Sequence, residues 1–186
     1  MRRLSVLALA LVLALPVAAD AASRRLLVNG DSLAVGTGPF LPQELGGWRL
    51  TQSTAVSRHA FEGPDVMRGY GRSLPRVIHV SLGTNDDPRA VGAFRAAIRE
   101  VMEVAGSRRC VVWTNIVRPP VAGAAYSGFN RALAQESRPR ENLRVVNWTR
   151  MVRRNPQWLV GDGVHVNVDG YRARAHAVAR SVRRCR

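Results

Sequence analysis

Three short polar blocks in this chain carry side chains that could together break an ester bond. They are Gly30-Asp31-Ser32-Leu33, Gly83-Thr84-Asn85-Asp86 and Asp162-Gly163-Val164-His165. A serine hydroxyl is a weak nucleophile until a base takes its proton, and an imidazole suits that task near neutral pH. A carboxylate beside the ring fixes its tautomer and turns it toward the hydroxyl. Asp162 and His165 are close enough in sequence for one loop to bring them together. Ser32 would open a helix, where backbone N–H groups lack partners and its own N–H can face a developing oxyanion. The Asn85 amide is a second suitable donor. Each block also has a plainer reading: Ser32 as a helix cap, His165 as an exposed loop residue beside an Asp162-Gly163 turn, Asn85 as a turn former. Taken in this order, the three read as a serine hydrolase. His59 on a polar segment, His79 within a strand and His176 within a helix are weaker catalytic candidates.

These blocks need elements to hold them. Arg25–Asn29, Arg76–Leu82, Cys110–Val117 and Leu143–Trp148 are short apolar runs of the kind buried in a parallel sheet, and Arg49–Val56 is a weaker fifth. Helical patterns cover about 64–72, 88–105, 126–136 and 168–183. In the second of these, Val91, Phe94, Ile98, Val101 and Val104 recur at helical spacing, with Pro88 in the first turn and Asp86 as its cap. Asn167 is placed to cap the last, which aligns Tyr171, Ala175, Val178 and Val182 on one face. Strands alternating with helices predict a three-layer α/β/α domain with about five parallel strands and right-handed crossovers. Ligands of such sheets bind beyond the carboxyl ends of the strands, where the first two blocks fall. Residues 36–48 and 118–125 are expected to be mobile or substrate-contacting loops.

The start of the chain reads as a targeting segment. Arg2 and Arg3 precede an apolar stretch from Leu4 to Leu15, and Pro16-Val17-Ala18-Ala19 offers small residues for cleavage. The stretch is shorter than the roughly 20 residues of a membrane span. Residues 1–19 are therefore expected to be a signal peptide and 20–186 the domain, secreted or periplasmic, with no transmembrane segment in the mature chain. Export to an oxidising compartment favours a Cys110–Cys185 bridge over two free thiols. With two cysteines and four histidines, soft ligands are few, and neither a metal nor a cofactor is expected. The formal charge is +15, carried by arginine without a single lysine. It favours an anionic cell envelope as partner, whereas no zinc finger, recognition helix or aromatic-basic strand points to specific nucleic-acid binding.

The same three blocks, with their order, spacing and strand context, resemble the SGNH/GDSL hydrolase superfamily over about residues 25–183. The resemblance implies a flavodoxin-like fold and ester hydrolysis through an acyl-enzyme without metal or cofactor. It implies Ser32 as nucleophile, His165 as base, Asp162 as its orienting acid, and an oxyanion hole formed by Ser32 and Asn85. The family usually places a glycine after the second strand as a further backbone donor. Here the best register, Thr54-Ala55-Val56-Ser57-Arg58, puts Ser57 there, while Gly63 lies too far along unless the loop shifts. Gly161 through His165, followed by Val168-Asp169-Gly170-Tyr171, also looks like exported domains acting on acetylated envelope glycans. A small acyl ester, an acetyl group on carbohydrate above all, is the substrate this implies, with Trp148 and Trp158 either lining a sugar surface or packed inside. The alternatives are an O-acetyltransferase using the same residues, and a non-catalytic envelope-binding domain with a blocked site.

Overall fold

The computed structural model describes residues 24–185; the expected signal peptide, residues 1–19, lies outside them. The apolar runs form five parallel strands: β1 (Arg25–Gly30), β2 (Arg49–Thr54), β3 (Val77–Ser81), β4 (Cys110–Thr114) and β5 (Leu143–Val146). Their order across the sheet is β2-β1-β3-β4-β5. Every residue of β3 and β4 is buried, whereas the edge strands β2 and β5 are only partly covered. That is the expected signature of a sheet covered on both faces.

Side chains alternate between the two layers. Leu27, Ile78, Val111 and Leu143 align in register across four strands and face one apolar cluster. This cluster is completed by α3 (Gly63–Gly69), α4 (Val91–Ala105) and α5 (Ser127–Ser137). In α4, Phe94, Ile98 and Val101 are buried, each contributing about 1.5–3 kcal/mol by leaving water. Phe94 stacks on Phe129 of α5 at 4.2 Å between ring centroids. On the other face, Leu26, Val28 and Val112 meet Ala175, Val178 and Val182 of α7 (Val168–Val182). Asn167 caps α7 as its sequence predicts, accepting from Gly170 N at 3.0 Å. Cys110, at the start of β4, is disulfide-bonded to Cys185 beyond α7, with Cα atoms 5.7 Å apart.

Four expectations need correction. Residues 36–48 are not an open loop: α1 (Ser32–Thr37), a short turn and α2 (Leu41–Glu44) occupy most of it. Leu41 and Leu45 are buried against the α7 face. Helix α4 starts at Val91, so Pro88 precedes it, and Asp86 does not cap it. Asp86 instead accepts from Ala60 N at 3.0 Å, which ties the loop after β2 to the loop after β3. The run through Trp148 divides into β5 and a further helix, α6 (Trp148–Arg154), because Asn147 accepts from Arg150 N and starts a new turn. Trp148 is fully buried and stacks on Trp158 at 5.8 Å, which excludes it from any sugar-facing surface.

The chain runs from β1 outward to β2, then back past β1 to β3. The crevice between β1 and β3 is thus the point where the winding reverses, the place where doubly wound sheets bind ligands.

Candidate active site

The sharp turn out of β1 sets the position of Ser32. A Cβ on Gly30 would lie 2.3 Å from Ala34 Cβ and 3.1 Å from Ser81 O, so only glycine allows the chain to turn so tightly against β3. Asp31 then caps α1, its Oδ1 accepting from Leu33 N at 3.0 Å. Ser32 becomes the first residue of the helix, with its hydroxyl at the crevice. Serine, rather than being the cap, follows it.

The third block brings its two side chains to this hydroxyl. Asp162 Oδ1 accepts from the backbone N–H of both Val164 and His165 at 2.9 Å, folding the loop back on itself. Its Oδ2 lies 2.6 Å from His165 Nδ1, and His165 Nε2 lies 2.9 Å from Ser32 Oγ. The line Asp162–His165–Ser32 thus joins residues 133 positions apart. Hydrogen bonds from the His165 ring, then from Val164 N, hold the Asp162 carboxyl down at about 2. It is therefore a carboxylate at any pH where imidazole can act as a base, and it fixes the proton on Nδ1 and frees Nε2 to accept.

Asn85 reaches the same crevice through Gly83, whose φ of +109° is one that a Cβ disfavours. A side chain there would also strike Phe94 at 2.5 Å. One Asn85 N–H donates to Arg58 O at 3.2 Å. An amide has two such hydrogens, so this bond anchors Asn85 while leaving a second donor. Ser57 is exposed and occupies the third position of a turn closed by Arg58 N and Ala55 O at 3.3 Å. Its φ of +62° lies in the left-handed region, which glycine enters without penalty and serine does not. Ser57 therefore holds a backbone conformation that favours glycine. Gly63 lies inside the fold at the start of α3, its carbonyl accepting from Asn29 Nδ2 at 2.9 Å.

The other histidines lie elsewhere. His79 is buried on β3 with Nε2 2.9 Å from Thr114 Oγ1, and burial followed by repulsion from Arg174 lowers it to about 3. His176 Nδ1 lies 3.1 Å from Glu44 Oε2. His59 Nδ1 is 3.6 Å from Asp86.

Three arginines at or under the site have no counterpart among the motif residues. Arg58 spans the ends of β1 and β2, with Nη1 bonded to Ser53 O and 3.4 Å from both Asn29 Oδ1 and Gly30 O. Arg118 bonds Thr84 O and helps line a crevice of about 350 Å3 together with Ser32, Asn85, Pro120 and His165. Arg174, buried in α7, donates to Ser81 Oγ at 2.9 Å and lies over the Trp148 ring. Burial lowers it to about 10, and the attraction of Asp31 opposes that fall. Burial likewise raises Asp31, against the pull of Arg174. This pair forms a polar floor under the turn that carries Ser32. The one signal available in the sequence is an arginine three residues after Tyr171 and four before Val178, on the helix's apolar face. Among the described residues, no group of three or more His, Cys, Asp or Glu side chains is placed to hold a metal ion.

The fold is that of the SGNH/GDSL hydrolases, in agreement with the resemblance of the motifs. A GDSL-like lipase from Bacteroides thetaiotaomicron superposes with a TM-score of 0.72 at 16% identity, over 92% of this chain and 92% of that one. A G-D-S-L family lipolytic protein from Veillonella parvula gives 0.71 at 15% identity, over 86% and 98%. The C-terminal catalytic domain of peptidoglycan O-acetyltransferase A from Streptococcus pneumoniae gives 0.67 at 16% identity, over 87% and 90%. No protein-family model and no curated sequence matches the chain.

Proposed function

We propose that this chain is an exported serine esterase that removes small acyl groups, acetyl above all, from an alcohol of carbohydrate type. The observation that carries the reading is the hydrogen-bonded line from Asp162 through His165 to Ser32, at 2.6 and 2.9 Å. His165 Nε2 takes the Ser32 proton as Oγ attacks the ester carbonyl. The carbonyl π electrons move to oxygen, and the Asn85 amide with the Ser32 and Ser57 backbone N–H groups receives the oxyanion. Collapse breaks the bond to the alcohol, which leaves with the proton from His165. Water, deprotonated in turn by His165, then releases the acid and restores Ser32.

Acetyl transfer is the second reading, and two observations favour it. A similar fold belongs to a peptidoglycan O-acetyltransferase catalytic domain, and the crevice is roomy enough to admit a sugar hydroxyl in place of water. Export is supported by the apolar N-terminal stretch of the sequence and by the disulfide.

Hydrolysis of a chromogenic acetyl ester by the mature protein, with Ser32→Ala and His165→Ala alongside, tests the proposal. Loss of turnover in both variants is expected, and equal turnover by Ser32→Ala would refute it. Measuring acetylated acceptor together with free acetate separates transfer from hydrolysis.

A further inference from the structure

A second concave site lies away from the crevice, between α6 and α7 where they flank β5. It is a groove of about 360 Å3 with Val145, Val146 and Ala177 in its lining. Arg150 and Arg154 border it from α6, Arg180 from the last turn of α7 and Arg184 from just beyond that helix. Each pair is four residues apart, a spacing that on a helix puts two side chains on one face, about 6 Å apart along the axis at their Cα atoms.

This groove gathers four arginines with no acidic residue in its lining, whereas the concavity lined by Arg108, Arg109, Arg140 and Arg144 includes Glu141. Some arginines of the surface meet acids: Arg68 pairs with Asp65 and Glu100, Arg89 with Asp87, and Arg95, Arg99 and Arg140 with Glu136. The four groove arginines are exposed and make no ion pair among the described residues. The sequence supplies none locally, since no Asp or Glu occurs between residues 142 and 161 or between 170 and 186.

We infer that this groove binds a phosphate-bearing anionic polymer of the phosphodiester or polyphosphate type that carries no bases. Guanidinium forks match phosphate oxygens better than they match a diffuse charge. A concave track between two helices suits a chain rather than the plane of a bilayer. Single-stranded nucleic acid is held by stacking bases on aromatic rings, and no aromatic side chain lines the groove. Such a polymer would hold the enzyme close to its substrate without touching Ser32.

The probe is fluorescently labelled linear inorganic polyphosphate, with binding read by anisotropy over a salt series. The variants are Arg150→Gln/Arg154→Gln, Arg180→Gln/Arg184→Gln, and the four combined. A control removes the same charge from exposed arginines elsewhere (Arg72, Arg76, Arg131 and Arg138 to Gln). The expected result is tenfold or greater loss in the quadruple groove variant, with the slope of log affinity against log salt shallower by about 3. Each double variant falls between, and the control stays within about threefold. Ser32→Ala binds like the parent, and the groove variants hydrolyse a soluble acetyl ester at the parental rate, so this inference and the catalytic one fail separately. Equal losses in groove and control variants would overturn the site. So would equal binding of polyglutamate, or tighter binding of a single-stranded DNA oligomer or of phosphatidylglycerol vesicles.

Discussion

Asn85→Ala separates anchoring from oxyanion stabilisation. The Asn85 amide makes one bond to Arg58 O at 3.2 Å, and in the proposed mechanism its second hydrogen meets the oxyanion. Loss of the first removes an ordinary hydrogen bond at a part-buried position, worth about 1 kcal/mol of stability. Loss of the second removes a donor that matters only once the carbonyl carries negative charge, worth about 3 kcal/mol and so roughly 100-fold in kcat. Because the ground-state ester is scarcely charged, KM should change by less than about threefold. Steady-state kinetics on a small acetyl ester, with urea unfolding of the same preparation, reads both quantities. A kcat within about threefold of the parent, in a protein that has lost about 1 kcal/mol, would refute the donor role and leave Asn85 a structural anchor. A fall confined to KM would equally contradict it.

Three further outcomes follow from the same geometry. The disulfide closes a sequence separation of 75, so replacing both Cys110 and Cys185 by serine should lower stability by about 4 kcal/mol on the chain-entropy estimate, read by urea unfolding. His79 is held neutral, lowered from 6.5 to about 3, so between those values the unfolded chain binds the extra proton and stability rises with pH. It is fully present above about 6.5 and is lost as pH falls toward 3, at up to about 1.4 kcal/mol per pH unit; the difference in unfolding free energy between the parent and His79→Gln should follow that slope, and parallel curves would refute it. Ser57→Gly should keep turnover within about twofold and raise stability by up to about 1 kcal/mol, since it removes the cost of a φ of +62°, as a thermal melt would register.

Much of this arrangement is legible in the sequence because its signals are local. Buried parallel strands are continuous apolar runs, and the three motif blocks follow directly from turns at Gly30, Gly83 and Gly163. What escapes is what depends on distant partners. Helix α2 has four residues and contains Pro42, too short for a period to be seen, and it exists because Leu41 and Leu45 have α7 to pack against. Asp86 looks like a helix cap because it precedes α4, yet Ala60 N, from another loop, claims it. Trp148 looks like the end of a strand until Asn147 caps a new turn. The floor of the site is harder still: Arg174 faces inward only because Ser81 and Asp31, from β3 and the turn after β1, are there to meet it.

The nucleophile itself can be weighed. Treatment with a serine-reactive fluorophosphonate, followed by intact mass, should add one phosphonyl group to the mature protein and none to Ser32→Ala, with much slower labelling of His165→Ala. An unmodified parent protein, or a label that persists when Ser32 is alanine, would contradict the assignment of that hydroxyl as the attacking group.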